Sequence, residues 1–235
     1  MQTSIEPFYH ILPTRKVKMK EKNKYLKNNS LYVHVILDKS GSMNLIKQKT
    51  INAFNEYVES LAPDTIVSLS LFSGLYQKPT VETVISEERA DKVAPLTEKT
   101  YIPSGNTPLY DAIGEVLMMM DDRKENTVLV ILTDGEENAS KEFDSRSIKR
   151  LLENKKEKGW LITYLGANQD AFREAGKLGI SLGTTMAYDV NAIGKTMKSA
   201  ARSTVAYSNA LAMGQSIGAA TQDAMFTDEE RKEVI

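Results

Sequence analysis

A chain of 235 residues with 41% hydrophobic and 26% charged side chains is long enough to bury one sizeable α/β core and has the make-up of an ordinary globular protein. Its net charge of −1 supplies no global field that would gather nucleic acid or an anionic membrane. With no cysteine and only two histidines, His10 and His34, disulfides, thiolate metal sites, cysteine nucleophiles and a multi-histidine zinc site are excluded.

Residues 1–30 read as a basic leader. "RKVKMKEKNKYLKNN" sets Arg15, Lys16, Lys18, Lys20, Lys22, Lys24 and Lys27 against the single acid Glu21, but aromatic interleaving is thin, so a solvated leader is favoured over a nucleic-acid arm. "IEPFYHILP" is too short and too interrupted for a secretory core. No stretch approaches eighteen consecutive apolar residues, as a membrane span requires. A cytoplasmic protein is expected.

From Leu31 the chain alternates between two periodicities. "LYVHVIL" (31–37) is a β-rich run suited to a buried parallel strand. "MNLIKQKTINAFNEYVESL" (43–61) carries apolar residues at helical spacing. "TIVSLSLF" (65–72) is the next strand, and "KPTVETVI" (78–85), opening on proline, belongs at a sheet edge. "TPLYDAIGEVLMMMDD" (107–122) reads as a helix with Thr107 placed to cap and Pro108 at its first position. "NTVLVILTDG" (126–135) is a β-branched strand ending on an acid. "SRSIKRLLENKKEKG" (145–159) is an amphipathic helix closed by Gly159, and "WLITYLG" (160–166) a further strand. A short helix at 168–179 and a last strand at 183–189 follow.

Strands alternating with helices across short connections predict a doubly wound, mostly parallel Rossmann-like α/β sheet with helices on both faces. Three segments are expected: the leader 1–30, the α/β domain 31–190, and an Ala/Gly-rich helical segment 191–235 that packs on the domain or on a partner. Gly214 and Gly218 have the spacing of a close helix–helix contact. "FTDEERKEVI" reads as a capped last turn of helix.

In such a sheet ligands bind beyond the carboxyl ends of the strands. Three polar clusters fall there: Asp38, Ser40 and Ser42 in "DKSGSM", Thr107 in "SGNTPLYDAI", and Asp134 in "LVILTDGEEN". A D-x-S-x-S pattern alone fits a helix cap; three clusters at successive strand ends fit a cation cage better.

These motifs resemble the von Willebrand factor A domain and its metal-ion-dependent adhesion site, with the likeness covering about residues 31–190. The resemblance implies one divalent cation, usually magnesium (Mg2+), with manganese or calcium as alternatives. It implies that Ser40 and Ser42 ligate directly, Thr107 directly or through water, and Asp38 and Asp134 mostly through bound waters. Magnesium wants six oxygens and releases water reluctantly, so an ion held by neutral hydroxyls stays electrophilic. The resemblance also implies that an Asp or Glu of a protein partner completes the shell. The loops expected to select that partner are Met43–Asn44, 73–78, 104–106, 135–138 and 166–169. Leu75 and Tyr76 are candidate anchors there, and Glu136 and Glu137 read as a solvated helix start.

Other chemistries are weaker. "IGKT" (193–196) resembles the end of a P-loop, but Asp189 stands where the cradle requires glycine. Asp38 as a phosphoryl-transfer nucleophile lacks a second acid two residues on, where Ser40 stands. A serine hydrolase lacks a histidine base, because His34 lies inside the first strand. Met118, Met119 and Met120 read as core or interface filler. The chain is therefore read as a non-enzymatic, metal-dependent protein-binding module. A metal-dependent hydrolase or phosphatase, and a self-assembling component joined through the C-terminal helices, stand as alternatives; nucleic acid and membrane are disfavoured as partners.

Overall fold

The computed structural model describes residues 30–75, 78–120, 123, 125–167 and 170–235. The basic leader up to residue 29, and Tyr76, Gln77, Asn168 and Gln169 of the expected partner loops, lie outside the described residues.

Eight consecutive buried residues, Leu31–Asp38, form β1, the middle of a six-stranded sheet. β2 (Ile66–Leu75) and β4 (Asn126–Thr133) flank it in parallel. β5 (Leu161–Ala167) and β6 (Thr185–Tyr188) continue in parallel beyond β4. β3 (Lys78–Arg89) pairs antiparallel with β2 at the outer edge. The order β3-β2-β1-β4-β5-β6 is the doubly wound arrangement expected from the sequence, and it reverses direction of growth between β1 and β4. β3 runs four residues past its expected end. Its extension "SEER" has no apolar alternation to announce it, since it borders solvent, and a register shift between Val67 and Ser70 accommodates it.

The strand alternation sorts the core into two layers. Val33, Val35 and Leu37 of β1, with Val128, Val130 and Leu132 of β4, pack against α1 (Lys47–Glu59) and α5 (Ile193–Ala212). Tyr32, Ile36, Leu129 and Ile131 point the other way, against α2 (Leu109–Met119), α3 (Ser145–Glu157) and α4 (Ala171–Lys177). α3 starts on a capping box in which Asp144 and Ser147 serve each other's backbone N–H. Gly159, at φ +86°, then turns the chain into β5.

The segment after β6 lies on the same layer as α1. Ala200, Ala201, Ser203 and Thr204 of α5 are buried there, and the Tyr57 hydroxyl meets Thr204 Oγ1 at 2.9 Å. The close contact is thus made by these small residues and not by the glycines whose spacing would fit one. Gly214 is the left-handed residue that ends α5, and a side-chain carbon at Gly214 or Gly218 would meet nothing within 4 Å. α6 (Ile217–Asp223) and α7 (Asp228–Lys232) then return toward β6. There Arg231 donates to the carbonyls of Thr185 and Leu182, Asp189 N–H donates to Val234 O at 2.6 Å, and Arg202 grips Glu230 through both carboxylate oxygens. Of the three methionines read as core or interface filler, Met120 is buried whereas Met118 and Met119 are exposed. Among the described residues, no helix is long and apolar enough to cross a membrane.

Candidate metal centre

At the carboxyl end of β1 the chain leaves the sheet at Asp38, whose side chain is fully buried. One carboxylate oxygen accepts the Ser40 N–H at 2.6 Å and the other the Thr133 hydroxyl at 2.6 Å. The Tyr101 hydroxyl donates to the Asp38 carbonyl at 2.6 Å. Asp38 is therefore aimed by three neighbours from three segments. Burial pushes its carboxyl up to about 6, against the pull of the Thr133 and Ser40 hydrogen bonds.

Residues Gly41–Ile46 form a 3₁₀ turn, and α1 begins only at Lys47; the expected helix from Met43 starts later. Ser42 does not cap a helix. Its hydroxyl donates to Asp134 Oδ1 at 2.7 Å and lies 3.2 Å from Ser40 Oγ. Oxygens from the β1 and β4 ends thus meet across 92 residues of sequence. Asp134 is half-buried, and desolvation raises its carboxyl above the usual range.

The third segment is held against the other two by backbone. Ser104 N–H donates to Lys39 O at 2.8 Å, Gly41 N–H to Gly105 O at 2.9 Å, and Gly74 and Asn106 exchange two 2.8 Å bonds. Gly105 sits at φ +78°, and a side-chain carbon there would stand 1.9 Å from Gly74 O. Only glycine fits both the backbone angle and the approach. Gly105→Ala is expected to lower stability by about 3 kcal/mol and to weaken any cation response, read by urea unfolding and a magnesium titration.

Thr107 is buried beside Gly135, whose added side-chain carbon would lie 3.3 Å from its hydroxyl. It is not a helix cap: α2 begins at Leu109, no side chain of its own N-terminus caps it, and Thr107 N–H donates to Asn138 Oδ1 at 2.9 Å. The N-terminus of α2 is closed from outside, by Glu137 Oε2 on Tyr110 N–H and Ser140 Oγ on Asp111 N–H. Glu137 also accepts from Ala139 N–H and from both the N–H and the hydroxyl of Ser140. It is a structural hub, not the solvated helix start expected, while Glu136 is exposed and paired with Arg173.

All five residues named from the sequence thus converge on one end of the β1–β4 junction. His34 takes no part: its ring is buried, bonded to the Tyr32 and Ser70 hydroxyls, and burial lowers it to about 3.

The profile of the von Willebrand factor type A domain matches residues 33–201, more than half of the chain. The chain belongs to the von Willebrand factor type A family. Among solved structures, this A domain is similar to the ArnB paralog VWA2 from Sulfolobus acidocaldarius, at 19% identity and TM-score 0.56 over 74% of this chain and 45% of that one. It is similar to proximal thread matrix protein 1 from the mussel byssus with a zinc-occupied MIDAS motif, at 17% identity and TM-score 0.55 over 74% and 45%. It is also similar to the manganese-loaded TRAP protein of Plasmodium vivax, at 20% identity and TM-score 0.51 over 72% of each chain. At these identities the likeness is one of fold, and the chain spans less than half the length of the mussel and Sulfolobus chains. Among curated proteins none matches.

Four supporting residues of the A domain escape a reading by pattern: Tyr101, Asp111, Thr133 and Glu137. Asp111 is the clearest. Its buried carboxylate accepts the N–H groups of Lys141, Glu142 and Phe143 at 2.8, 2.9 and 2.8 Å. The only hint in the sequence is an acid in the first turn of an otherwise apolar helix, which a favourable helix dipole explains equally well.

Proposed function

We propose that this A domain is a protein-binding module whose contact is made through one divalent cation, with magnesium the resident ion. The observation that carries the reading is the approach of Ser40, Ser42 and Asp134 oxygens from separate strand ends, over a buried Asp38. The donor set fits a hard ion. It consists of three hydroxyls and two carboxylates, and among the described residues no group of three or more His, Cys, Asp and Glu side chains forms an alternative centre. The zinc and manganese carried by two proteins of this fold support a divalent ion.

Ser40, Ser42 and Thr107 would hold the ion through their hydroxyls, with Asp38 and Asp134 balancing charge from behind. When bound, the ion supplies an electrophilic position open to a carboxylate from outside. The chain's own part is to aim the donors. Thr133 and Ser40 fix the Asp38 carboxylate, Tyr101 ties down its carbonyl, and the Gly105 bridge seats the Thr107 segment. A protein partner presenting Asp or Glu is the complementary ligand, because a carboxylate matches the hardness and charge of the ion.

Calorimetric titration of magnesium into the protein tests this. Binding is expected near pH 7 and should weaken by up to about tenfold per pH unit as pH falls below 6, where a proton competes for Asp38. No heat and no thermal shift with magnesium or manganese at neutral pH would show the reading to be wrong.

A further inference from the structure

Three of the large apolar side chains left exposed rise from the segments that build the cage: Leu45 at 92%, Ile102 at 59% and Leu75 at 45%. Leu45 shares the 3₁₀ turn of Ser42. Its neighbours Met43 and Ile46 are buried, so the turn anchors itself without it. Ile102 follows Tyr101, which holds Asp38, and precedes Ser104, which binds Lys39 O. Leu75 follows Gly74, the partner of Asn106. All three therefore belong to segments that are part of the 101–107 loop or tied to it by hydrogen bonds.

The β4–β5 side differs. There Asp134, Glu136, Asp170 and Glu174 line a small cleft. Its acids are largely spoken for within the chain: Arg173 bridges Glu136 and Asp170 at 3.0 and 3.1 Å, and Glu174 takes Lys177 at 2.8 Å together with the Tyr110 hydroxyl. Among the described residues, that flank offers a ligand no unpartnered carboxylate with which to select a base. Selection falls to the apolar flank.

We propose that Leu45, Ile102 and Leu75 form an apolar rim that seats the aliphatic neighbours of the acidic residue completing the cation. The preferred occupant is then a protein segment with a lone Asp or Glu flanked by Leu, Ile or Val. This inference rests on the cation-dependent reading above. Burial of the flanking side chains against the rim provides affinity that the carboxylate alone lacks.

The test uses three series of short synthetic peptides with one central Asp, flanked by Gly and Ser, by Leu, or by Lys. Each is titrated by fluorescence polarisation into the full chain with saturating magnesium, and into a Leu45→Ser/Ile102→Ser variant. Both substituted side chains are exposed, so the fold and the magnesium titration should be unchanged. The Leu-flanked series is expected to bind about tenfold or more tightly than the Gly/Ser series, and the variant should erase that difference. Equal binding of the two series (including none in either), a preference that survives in the variant, or strongest binding by the Lys series would overturn the rim while leaving the cation centre standing. Failure of the magnesium titration itself would remove the centre, and the rim with it.

Discussion

Asparagine in place of Asp38 is expected to make the cation-free protein more stable at pH 7 and to abolish its response to magnesium. The two effects have one cause. The Asp38 carboxyl is wholly buried and raised from 3.8 to about 6, so keeping it ionised at neutral pH costs roughly 3 kcal/mol. That cost is fully present above pH 6, shrinks as the folded form takes up a proton, and vanishes below the unfolded value near 3.8. Asparagine removes the charge and retains the geometry. Its oxygen still accepts Ser40 N–H, and its NH2 donates to Thr133 Oγ1, which then turns its own proton to Gly135 O at 3.1 Å. The variant should gain up to about 3 kcal/mol in urea unfolding without metal. It should lose about a hundredfold or more in magnesium affinity, since the second carboxylate alone cannot balance the ion. A variant that is destabilised, or that binds magnesium like the parent, would contradict the proposed role of Asp38 as a buried charge that the cation offsets.

Asp111→Ala should be the most destabilising single change near the centre. Three backbone N–H groups of the 141–143 segment converge on this buried carboxylate, and hydrogen bonds to a charged acceptor are each worth about 1.5–3 kcal/mol. Alanine leaves the donors facing a small void. A loss of about 4 kcal/mol and a fall in melting temperature of about 10 °C are expected. The damage should also reach the cation. The 137–143 loop carries Asn138, which exchanges hydrogen bonds with the backbone of Thr107, so magnesium affinity should drop even though Asp111 is not among the proposed ligands. Asp111→Asn, which retains an acceptor, should recover part of both losses. Full cation affinity in a destabilised Asp111→Ala protein would show that the loop does not position Thr107.

The contrast between Ser42 and Thr107 shows how far pattern reaches. By residue type both also fit helix starts, where serine and threonine cap far more often than they bind ions. Neither caps. Ser42 turns to Asp134, and Glu137 and Ser140 take over the donors at the start of α2. A cap is a contact between near neighbours and so is visible in sequence. The replacement comes from about 30 residues away and leaves no local trace. For the same reason Glu137 reads as a solvated acid, and Gly214 and Gly218 have the spacing of a contact that Ala200, Ala201, Ser203 and Thr204 make instead.

By itself the sequence determined the order of strands and helices, the doubly wound sheet, and three segments that meet at the β1–β4 junction: the loops after β1 and β4 and the one that leads into α2. It could do so because periodicity and burial are local consequences of residue type, and because parallel strands joined by helices bring their carboxyl ends to one side. Only the tertiary structure decided what holds those loops in place: Tyr101 and Thr133 on Asp38, Gly105 against Gly74, and Asp111 and Glu137 beneath the 137–143 loop. These are pairings between distant segments, and which donor meets which acceptor depends on the packed geometry of both, which no single stretch of chain encodes.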